Sequence, residues 1–449
     1  MNMAYLNLYI LTFNCARNLI DANLFASHLF DALPESQPSE LPEVLVLSLQ
    51  EIAPLSYSFL GGHFLESYYD AFRRAVELAV SDRGKDMHYV NTVAKNVGMT
   101  GIMVFVRQDV VGKVAGVETA ETGVGFQEMG NKGAVGARLK YLVQEEERET
   151  VDLTFVAAHL APMEDQVERR NQDWESIARR LVFSGSDATS TPREDAIDRE
   201  DVPLLEGEDS SSHPTGMFTP TSHLFFAGDL NYRTSGTGPG ENGHKAFPQP
   251  TSDRNSKMHY TYLLKDDQLS KEIHARRTLH GLSEAPIDFP PTYKYADGAH
   301  LIGSGNDATE WKWAQHRWPS WCDRILYLDA PSWVSNFGAV KPSVYDGLPL
   351  FPSSDHRAVA LSVSVPLKPI PAPGLLSEMN DVSDSDIRLS PPFDLDMDWK
   401  YKRSVARSKE IIVGILAYLG LTWQGNGLIL ASGFGVFGGW LVLRAYLVG

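Results

Sequence analysis

The sequence predicts an α/β fold of sheets covered by helices, followed by a hydrophobic C-terminal segment. Apolar runs of strand length, rich in Val, Ile, Leu and Phe, recur through the first 365 residues. These runs lie at 6–13, 44–49, 102–106, 134–142, 151–158, 224–227, 324–328 and 358–365. Helical patterns lie between some of them, at 68–80, 164–181 and 266–279. This alternation is typical of sheets that pack against helices.

The overall composition is that of a globular protein with a packed core, because 43% of the 449 residues are hydrophobic and 22% are charged. A net charge of −17 argues against nucleic acid as a partner, since phosphate backbones are bound through clustered Lys and Arg. Two distant cysteines, Cys15 and Cys322, predict a reducing compartment rather than a disulfide framework. The first residues are typical of a strand rather than a signal peptide, so we expect a cytosolic catalytic part. We also expect a monomer.

Two polar stretches differ from the rest of the chain. Residues 184–222 are crowded with Ser, Thr, Pro, Asp and Glu. This composition predicts a disordered insertion, because too little apolar surface is available to offset the entropy of ordering. Residues 366–408 have a Pro-rich start and a basic end, and predict a flexible linker. The catalytic domain is therefore expected to span 1–365.

The hydrophobic segment at 411–443 predicts a membrane anchor. Its two apolar halves flank the sequence QGNG, and each half is shorter than the about 20 residues that a bilayer-spanning helix needs, although together they suffice. The basic residues that precede it are Lys400, Lys402, Arg403, Arg407 and Lys409. By the positive-inside rule this flank is cytosolic. A helical hairpin bent at 425–427 is the alternative to a single span, and a buried core helix is disfavoured by the polar linker.

Polar side chains collect where the predicted strands end, which is a common position for catalytic groups in sheet-based enzymes. Asn14 follows the first run, and Gln50 and Glu51 follow the second. Carboxylate and amide oxygens are hard ligands suited to Mg²⁺, so Glu51 and Asn14 are candidate metal ligands. Capping of the strand ends is the alternative interpretation.

Two further motifs carry candidate phosphate contacts. In the sequence GNKG, flanking glycines let the backbone and the ammonium of Lys132 approach a phosphate together. The same four letters are also common in hairpin turns. His159 ends the run at 151–158, where a single histidine can equally be structural.

The later motifs are more specific. Asp229 and Asn231 lie two residues apart at a strand end, so both side chains share one face. The Asp can orient an attacking water while the Asn steadies phosphoryl oxygens. Asp323 and the pair Asp355–His356 follow. A buried Asp can hold a distant His in one tautomer and raise its pKa, so that the His meets a phosphate as a cation.

Eight short blocks of the chain together resemble a known family. In order they are TFN, LQE, MGNKGAV, HLAP, GDLNYR, FPPTYKY, PSWCDRIL and SSDHRAV, and they span 12–359. This set resembles the inositol polyphosphate 5-phosphatases of the endonuclease/exonuclease/phosphatase superfamily. The resemblance implies a four-layer α/β/β/α sandwich of the DNase I-like type, with two packed, mostly antiparallel or mixed sheets. It also implies a phosphoric monoester hydrolase that uses Mg²⁺ and forms no phospho-enzyme.

The resemblance assigns roles to the strand-end residues. The implied catalytic set is Asp229, Asn231, His159, His356, Asp323 and Asp355. In this assignment Asp229 orients the attacking water, Asp323 orients His356, and Glu51 binds the metal with help from Asn14. The residues that contact the scissile phosphate are Asn231, His159 and His356, and Asp355 completes the metal or water network.

The resemblance also implies contacts to the remaining phosphates of the substrate. The implied substrate-binding residues are Asn131, Lys132, Tyr293, Lys294 and Arg324, with Lys312 and Arg317 as additional cations. A multiply anionic headgroup needs several cations to offset its lost hydration.

The combination of one such domain with a hydrophobic tail resembles the fungal tail-anchored phosphatidylinositol 4,5-bisphosphate 5-phosphatases. This narrower resemblance implies a phosphoinositide substrate, a membrane-anchored protein and the endoplasmic reticulum as its location. A tethered enzyme also meets lipid headgroups at high effective concentration. Two alternatives are a nuclease of the same superfamily and an inactive lipid-binding scaffold of the same fold.

Overall fold

The structure is a computed structural model, which describes residues 4–34, 40–83, 87–144, 149–185, 215–302, 310–334, 336–372 and 386–448. The strands are β1 (Tyr5–Asn14), β2 (Val44–Gln50), β3 (Tyr89–Val97), β4 (Thr100–Arg107), β5 (Val114–Gly123), β6 (Gly133–Gln144), β7 (Glu149–His159), β8 (Ser184–Gly185), β9 (Ser222–Asp229), β10 (Leu282–Glu284), β11 (Asp323–Leu328), β12 (Lys341–Leu350) and β13 (Arg357–Pro366). The helices are α1 (Ala22–His28), α2 (Leu55–Leu60), α3 (His63–Ser81), α4 (Val167–Arg180), α5 (Tyr260–Leu264), α6 (Gln268–His274), α7 (Trp399–Leu421) and α8 (Trp423–Val448).

The strands form two sheets of mixed direction. The first sheet has the order β12-β13-β1-β2-β4-β3, and the second has the order β10-β11-β9-β7-β6-β5-β8. β1 runs parallel to β2, and β7 runs parallel to β9. The remaining neighbours pair antiparallel.

Three buried apolar clusters define four layers. One cluster joins residues of both sheets, such as Ile10 and Phe225, and forms the core between them. A second packs α1 and α3 onto the first sheet, with Phe72 at 2% exposure. A third packs α4 and α6 onto the second sheet around the fully buried Trp174. The predicted α/β/β/α sandwich is therefore confirmed.

Strand alternation determines which polar strand ends meet. On β9, Phe225 and Ala227 face the core between the sheets, so Asp229 lies on the same face one step further. By the same alternation, β7, β1 and β11 add three more polar residues at one open end of the core between the sheets. We call this end the mouth. The four residues are Asn14, His159, Asp229 and Asp323. Polar groups from four strands and both sheets thus converge.

All eight apolar runs predicted as strands form strands, within a few residues of the predicted limits. The helical patterns at 68–80 and 164–181 correspond to α3 and α4. The pattern at 266–279 was extended too far, because α6 ends at His274 and a turn with positive φ at Arg276 follows.

The predicted insertion is shorter than 184–222. Residues 184–185 form β8, and Ser222 begins β9. Met217 is fully buried in the core beneath α4, so the segment that leads into β9 is packed against the domain. The remainder of the predicted insertion, 186–214, lies outside the described residues.

The predicted linker is also largely wrong where the structure describes it. Arg388 is buried at 3% exposure and donates from Nε to the carbonyl of Ser222 over 3.2 Å. Ile387 and Phe393 pack against the core beneath α4, and Asp396 N donates to the carbonyl of Arg179. The segment from 386 therefore belongs to the folded domain, which does not end at 365. Residues 373–385 lie outside the described residues.

The tail is divided at a different place from the one predicted. α7 begins within the predicted linker and continues to Leu421, and α8 follows as a separate helix. The break falls at Thr422, whose extended backbone ends α7 and whose Oγ1 accepts from Gly425 N at 3.0 Å. Gly425 and Gly427 lie inside α8, so they are not the bend of a hairpin. Among the described residues, the segment Trp423–Leu447 alone is long and apolar enough to cross a membrane, and its apolar window is wholly unburied.

Candidate active site

Asp229 lies at the centre of the polar mouth. Its Oδ2 accepts from Asn14 Nδ2 at 2.9 Å and lies 3.2 Å from His159 Nε2. Its Oδ1 accepts from the backbone N–H of Asn231 at 3.1 Å. Burial alone would raise the pKa of Asp229, but the neighbouring His159, His356 and Lys132 hold this pKa well below its usual range. Asp229 is therefore an ionised, fully oriented carboxylate.

Asn231 is held by its neighbours on both ends of its amide. It lies in the left-handed region with φ of 58°, and its Nδ2 donates to the carbonyl of Leu160 at 3.1 Å. Its Oδ1 accepts from the guanidinium of Arg233, which is buried and stacks over the Tyr293 ring at 4.4 Å. Arg233 was not assigned a role from the sequence, although it ends the block GDLNYR. It fixes the amide of Asn231 at the mouth.

His356 and Asp323 form a buried pair next to Asp229. Their atoms Nδ1 and Oδ2 lie 2.9 Å apart, and Asp323 Oδ2 also accepts from Thr292 Oγ1 at 2.7 Å. The other ring nitrogen, Nε2, lies 4.0 Å from Asp229 Oδ2 and faces the mouth. Burial would lower the pKa of His356, but Asp323, Asp229 and Asp355 raise it to about 9. At neutral pH His356 is therefore a cation.

A second group of charges lies on the other side of Asp229. Lys132 Nζ contacts His159 Nε2 and lies 3.8 Å from Glu51 Oε1. Burial lowers the pKa of both Lys132 and His159, and the ammonium of Lys132 lowers the pKa of His159 further. Glu51 has φ of 45°, and its second oxygen Oε2 pairs with Arg17 Nε at 3.2 Å.

The donors at the mouth fit a hard divalent cation at Glu51. This carboxylate is a quarter exposed, so an ion can reach it, and it pairs with Arg17 and Lys132. Asn14 uses Nδ2 for Asp229, and its Oδ1 accepts from Ala16 N at 3.0 Å, with a second lone pair remaining on the oxygen. Carboxylate and amide oxygens are the ligands that Mg²⁺ prefers.

A different cluster also has ligand spacing. Within the part of the chain that the structure describes, Asp229, Asp323 and His356 form the one group of three whose ligand atoms lie within 4.8 Å of one another. It fits a metal less well, because His356 and Asp323 are hydrogen-bonded to each other. A ring nitrogen is also a poor ligand for Mg²⁺.

Asp355 lies next to His356 and pairs with a predicted substrate-binding residue. Its Oδ2 accepts from Lys294 Nζ. Burial would raise the pKa of Asp355, but His356 and Lys294 lower it, so the carboxylate is ionised. The Tyr293 ring lies 4.5 Å from that of His356. A polar cavity of about 440 Å³ opens beside Asp355 and is also lined by Arg17.

In the structure, the side chains of four predicted substrate-binding residues bind other groups of the protein. Arg324 is 1% exposed and is bound by Glu284 and Asp267 on the helix side of the second sheet, so its assignment to substrate was wrong. Asn131 turns its Oδ1 to the N–H of Phe126 at 3.2 Å. The two additional cations bind protein groups nearby. Arg317 pairs with Glu164, and Lys312 donates to the carbonyl of Asp297.

Comparison with known proteins supplies the family. The model of Endonuclease/Exonuclease/phosphatase family 2 matches residues 11–362, well over half of the chain. Type II inositol polyphosphate 5-phosphatase 15 of Arabidopsis thaliana is 32% identical over 276 residues, which are 59% of this chain and 23% of that protein. Polyphosphatidylinositol phosphatase INP53 of Saccharomyces cerevisiae is 29% identical over 322 residues, covering 71% and 23%. This chain thus spans less than a quarter of the length of either relative.

A solved structure has the same fold. It is the inositol polyphosphate 5-phosphatase domain of SPsynaptojanin in complex with inositol (1,4)-bisphosphate and calcium ion. The superposition has a TM-score of 0.55 at 23% identity and covers 81% of this chain and 85% of that one. The predicted relation to the inositol polyphosphate 5-phosphatases is confirmed by these likenesses. From the strand-end blocks, the layered fold and the matched family model, we conclude that the chain belongs to Endonuclease/Exonuclease/phosphatase family 2.

Proposed function

We propose that the chain is a phosphoinositide 5-phosphatase that hydrolyses the 5-phosphate of phosphatidylinositol 4,5-bisphosphate by direct attack of water. The observation that carries this proposal is the convergence of Asp229, Asn231, His159 and the His356–Asp323 pair at one mouth. The named relatives act on inositol phosphates or phosphatidylinositol phosphates, which supports the substrate class.

The residues of the site divide the chemistry between them. Asp229 is ionised and held by three neighbours, so its carboxylate can orient the attacking water. The cation of His356 and the fixed amide of Asn231 can hold the oxygens of the scissile phosphate, where negative charge develops. A Mg²⁺ ion bound by Glu51, with Asn14, would offset charge on the same phosphate.

The remaining cations suit a second phosphate on the inositol ring. Lys132 lies beside His159, and Lys294 lies beside Asp355, which lines the cavity. A ring with two phosphates can therefore be held while one phosphate faces Asp229. The calcium ion and inositol (1,4)-bisphosphate named for the solved domain are consistent with a metal and a ring phosphate in such a site.

A panel of substrates tests the proposal on the full chain in detergent. We expect phosphate release from short-chain phosphatidylinositol 4,5-bisphosphate with magnesium, loss of release with EDTA, and recovery when magnesium is restored. Cleavage of duplex DNA with an abasic site would instead identify a nuclease. Binding of the lipid with no release from any substrate would identify an inactive scaffold. Either of the last two results would contradict the proposal.

We also propose that α8 anchors the chain in a membrane, with the catalytic domain in the cytosol. Its apolar window Trp423–Leu447 has 25 residues, or about 37 Å of helix, against a hydrocarbon core of about 30 Å. The basic start of α7 suits the cytosolic side, and we propose the endoplasmic reticulum on the resemblance to the fungal enzymes. The chain should stay in the pellet after a carbonate wash, and removal of 423–449 should release it. Release of the intact chain by carbonate would contradict the anchor.

A further inference from the structure

α7 is docked on the catalytic domain along one face. Its buried residues Ala406, Glu410 and Gly414 recur every four positions, which is the spacing of a single helix face. A Cβ on Gly414 would lie 3.1 Å from Phe59 and 3.3 Å from Leu60, so this helix and α2 are in close contact. The helix that leads to α8 is therefore part of the folded domain.

A buried charge cluster secures this face. Arg403 donates to Glu121 Oε1 on β5 at 2.7 Å and to Glu410 Oε1 at 2.8 Å. Arg407 Nη1 donates to the carbonyl of Phe59 at 2.5 Å and lies 3.3 Å from Glu410 Oε2. The Glu410 side chain is fully buried between the two arginines. A buried carboxylate of this kind needs hydrogen-bond partners, because its desolvation is costly, and Arg403 and Gly130 remain its closest ones.

Glu410 has one more partner, and it lies in the loop that carries Lys132. The backbone N–H of Gly130 donates to Glu410 Oε1 at 2.8 Å, and that bond is buried. Gly130 is two residues before Lys132, in the turn that joins β5 to β6. The loop that carries Lys132 is thus hydrogen-bonded to α7, with Gly130 as the donor and Glu410 as the acceptor.

The same glycine is held from its other side by the first sheet. Its carbonyl accepts from Met99 N at 2.9 Å. A Cβ on Gly98 would lie 2.3 Å from that carbonyl oxygen, so the two backbones touch. Gly130 is therefore held on both sides, by the β3–β4 turn and by Glu410. If Glu410 is removed, only the contact with the turn remains.

We propose that Glu410 is a positioning residue that holds the Gly130–Lys132 loop in place for a substrate phosphate and joins this loop to the helix leading to α8. The inference rests on the proposed function only for the identity of the substrate. Its physical basis is that the hydrogen bond to a buried carboxylate fixes the position of Gly130 N. Because Lys132 is only two residues further along the chain, the position of its Nζ depends on that backbone.

The test compares Glu410→Ala, Glu410→Gln and Arg407→Ala in the full chain in detergent, with soluble inositol 1,4,5-trisphosphate as substrate. We expect Glu410→Ala to raise KM by roughly threefold to tenfold with a smaller change in kcat, since a hydrogen bond to a charged group is lost. Glu410→Gln keeps an oxygen that can accept from Gly130 N–H, so KM should return to within about twofold of the unaltered chain. Arg407→Ala removes contacts to α2 but leaves Glu410 on Gly130, so it should lower the melting temperature and leave KM unchanged.

Hydrogen exchange gives a readout that does not depend on turnover. The peptide covering 125–133 should exchange faster in Glu410→Ala and at the unaltered rate in Arg407→Ala. An unchanged KM and unchanged exchange in Glu410→Ala would overturn the inference, as would an equal rise of KM in Arg407→Ala. If the unaltered chain releases no phosphate, the proposed function fails, and the exchange result alone then decides the role of Glu410.

Discussion

Two neighbouring residues of β11, Asp323 and Arg324, have opposite surroundings because successive side chains of a strand point to opposite faces. Asp323 faces the mouth between the sheets and binds His356. Arg324 faces the helix layer and is bound by Glu284 and Asp267. The block PSWCDRIL contains both, and its resemblance to the family does not separate them. Strand parity alone would have placed Arg324 away from substrate.

Substitution of Arg324 should therefore affect stability rather than binding. Arg324→Gln leaves Glu284 and Asp267 without their cation in the interior, which typically costs about 3–5 kcal/mol. We expect a lower melting temperature and an unchanged KM for the folded fraction. The exposed pair Arg254–Asp288 is a matched control, because Arg254→Gln should cost less than about 1 kcal/mol. A raised KM with unaltered stability would restore Arg324 as a substrate contact.

The raised pKa of His356 predicts where kcat/KM falls on the alkaline side of the pH profile. In the folded chain this pKa is about 9, above the ordinary 6.5, so the proton is bound throughout the neutral range. Stability from this proton is fully present below pH 6.5 and is lost as the pH rises through about 9. Asp323→Asn removes a carboxylate that raises the pKa, and it should shift the alkaline limb of kcat/KM to lower pH. An unshifted limb would show that His356 is not the titrating group.

The limits of prediction at the residue scale follow from distance in the sequence. Asp229 and Asn231 could be predicted together because they share one strand end. The support for Asn231 from Arg233, and for Asp323 from Thr292, was missed. Thr292 is separated from Asp323 by 31 residues, and no local pattern reports such a contact.

At the scale of elements, sequence patterns identified the buried strands and missed those near the sheet edges. β12 contains two prolines and lies at the edge of the first sheet, where a missing backbone N–H is tolerated. β3 forms the other edge, and most of its residues are partly or fully exposed. Such strands lack the continuous apolar runs of β1 or β2, so their signal is weak.

The first part of α7, up to residue 408, was mistaken for a linker for a related reason. The hydrogen bonds of α7 to the domain are made by Arg403, Arg407 and Glu410, which in a sequence resemble an exposed, charged flank. Burial of charge through mutual pairing leaves no apolar stripe to detect. Only the structure shows that these charges face inwards.

Truncation tests whether α7 belongs to the domain. A chain that ends after Thr422 should melt within about 2 °C of the full chain in the same detergent, because the apolar window of α8 is unburied. A chain that ends after Asp398 loses α7, including the partners of Glu121 and Gly130, and should melt roughly 5 °C or more lower. Equal melting temperatures for both truncated chains would show that α7 contributes nothing to the fold.

At the scale of the whole molecule, a group of positive charges lies at the candidate active site of an acidic protein. The net charge is −17, yet the mouth between the sheets gathers Lys132, Lys294, Arg17 and the cation of His356. A local group of cations on an acidic protein favours a small, multiply charged anion over a long polyanion. The C-terminal segment is connected to this group of cations, because the loop of Lys132 is hydrogen-bonded to α7, the helix that leads to α8.

The most direct measurement of the central claim is turnover by Asp229→Asn in the full chain, with magnesium and short-chain phosphatidylinositol 4,5-bisphosphate. Asp229 contacts Asn14 of the first sheet and His159 of the second, so its neutralisation should lower kcat by roughly a thousandfold while the protein stays folded. Glu175→Gln, which alters only an exposed ion pair, should leave kcat unchanged. Turnover by Asp229→Asn within about twofold of the unaltered chain would contradict the assignment of this site.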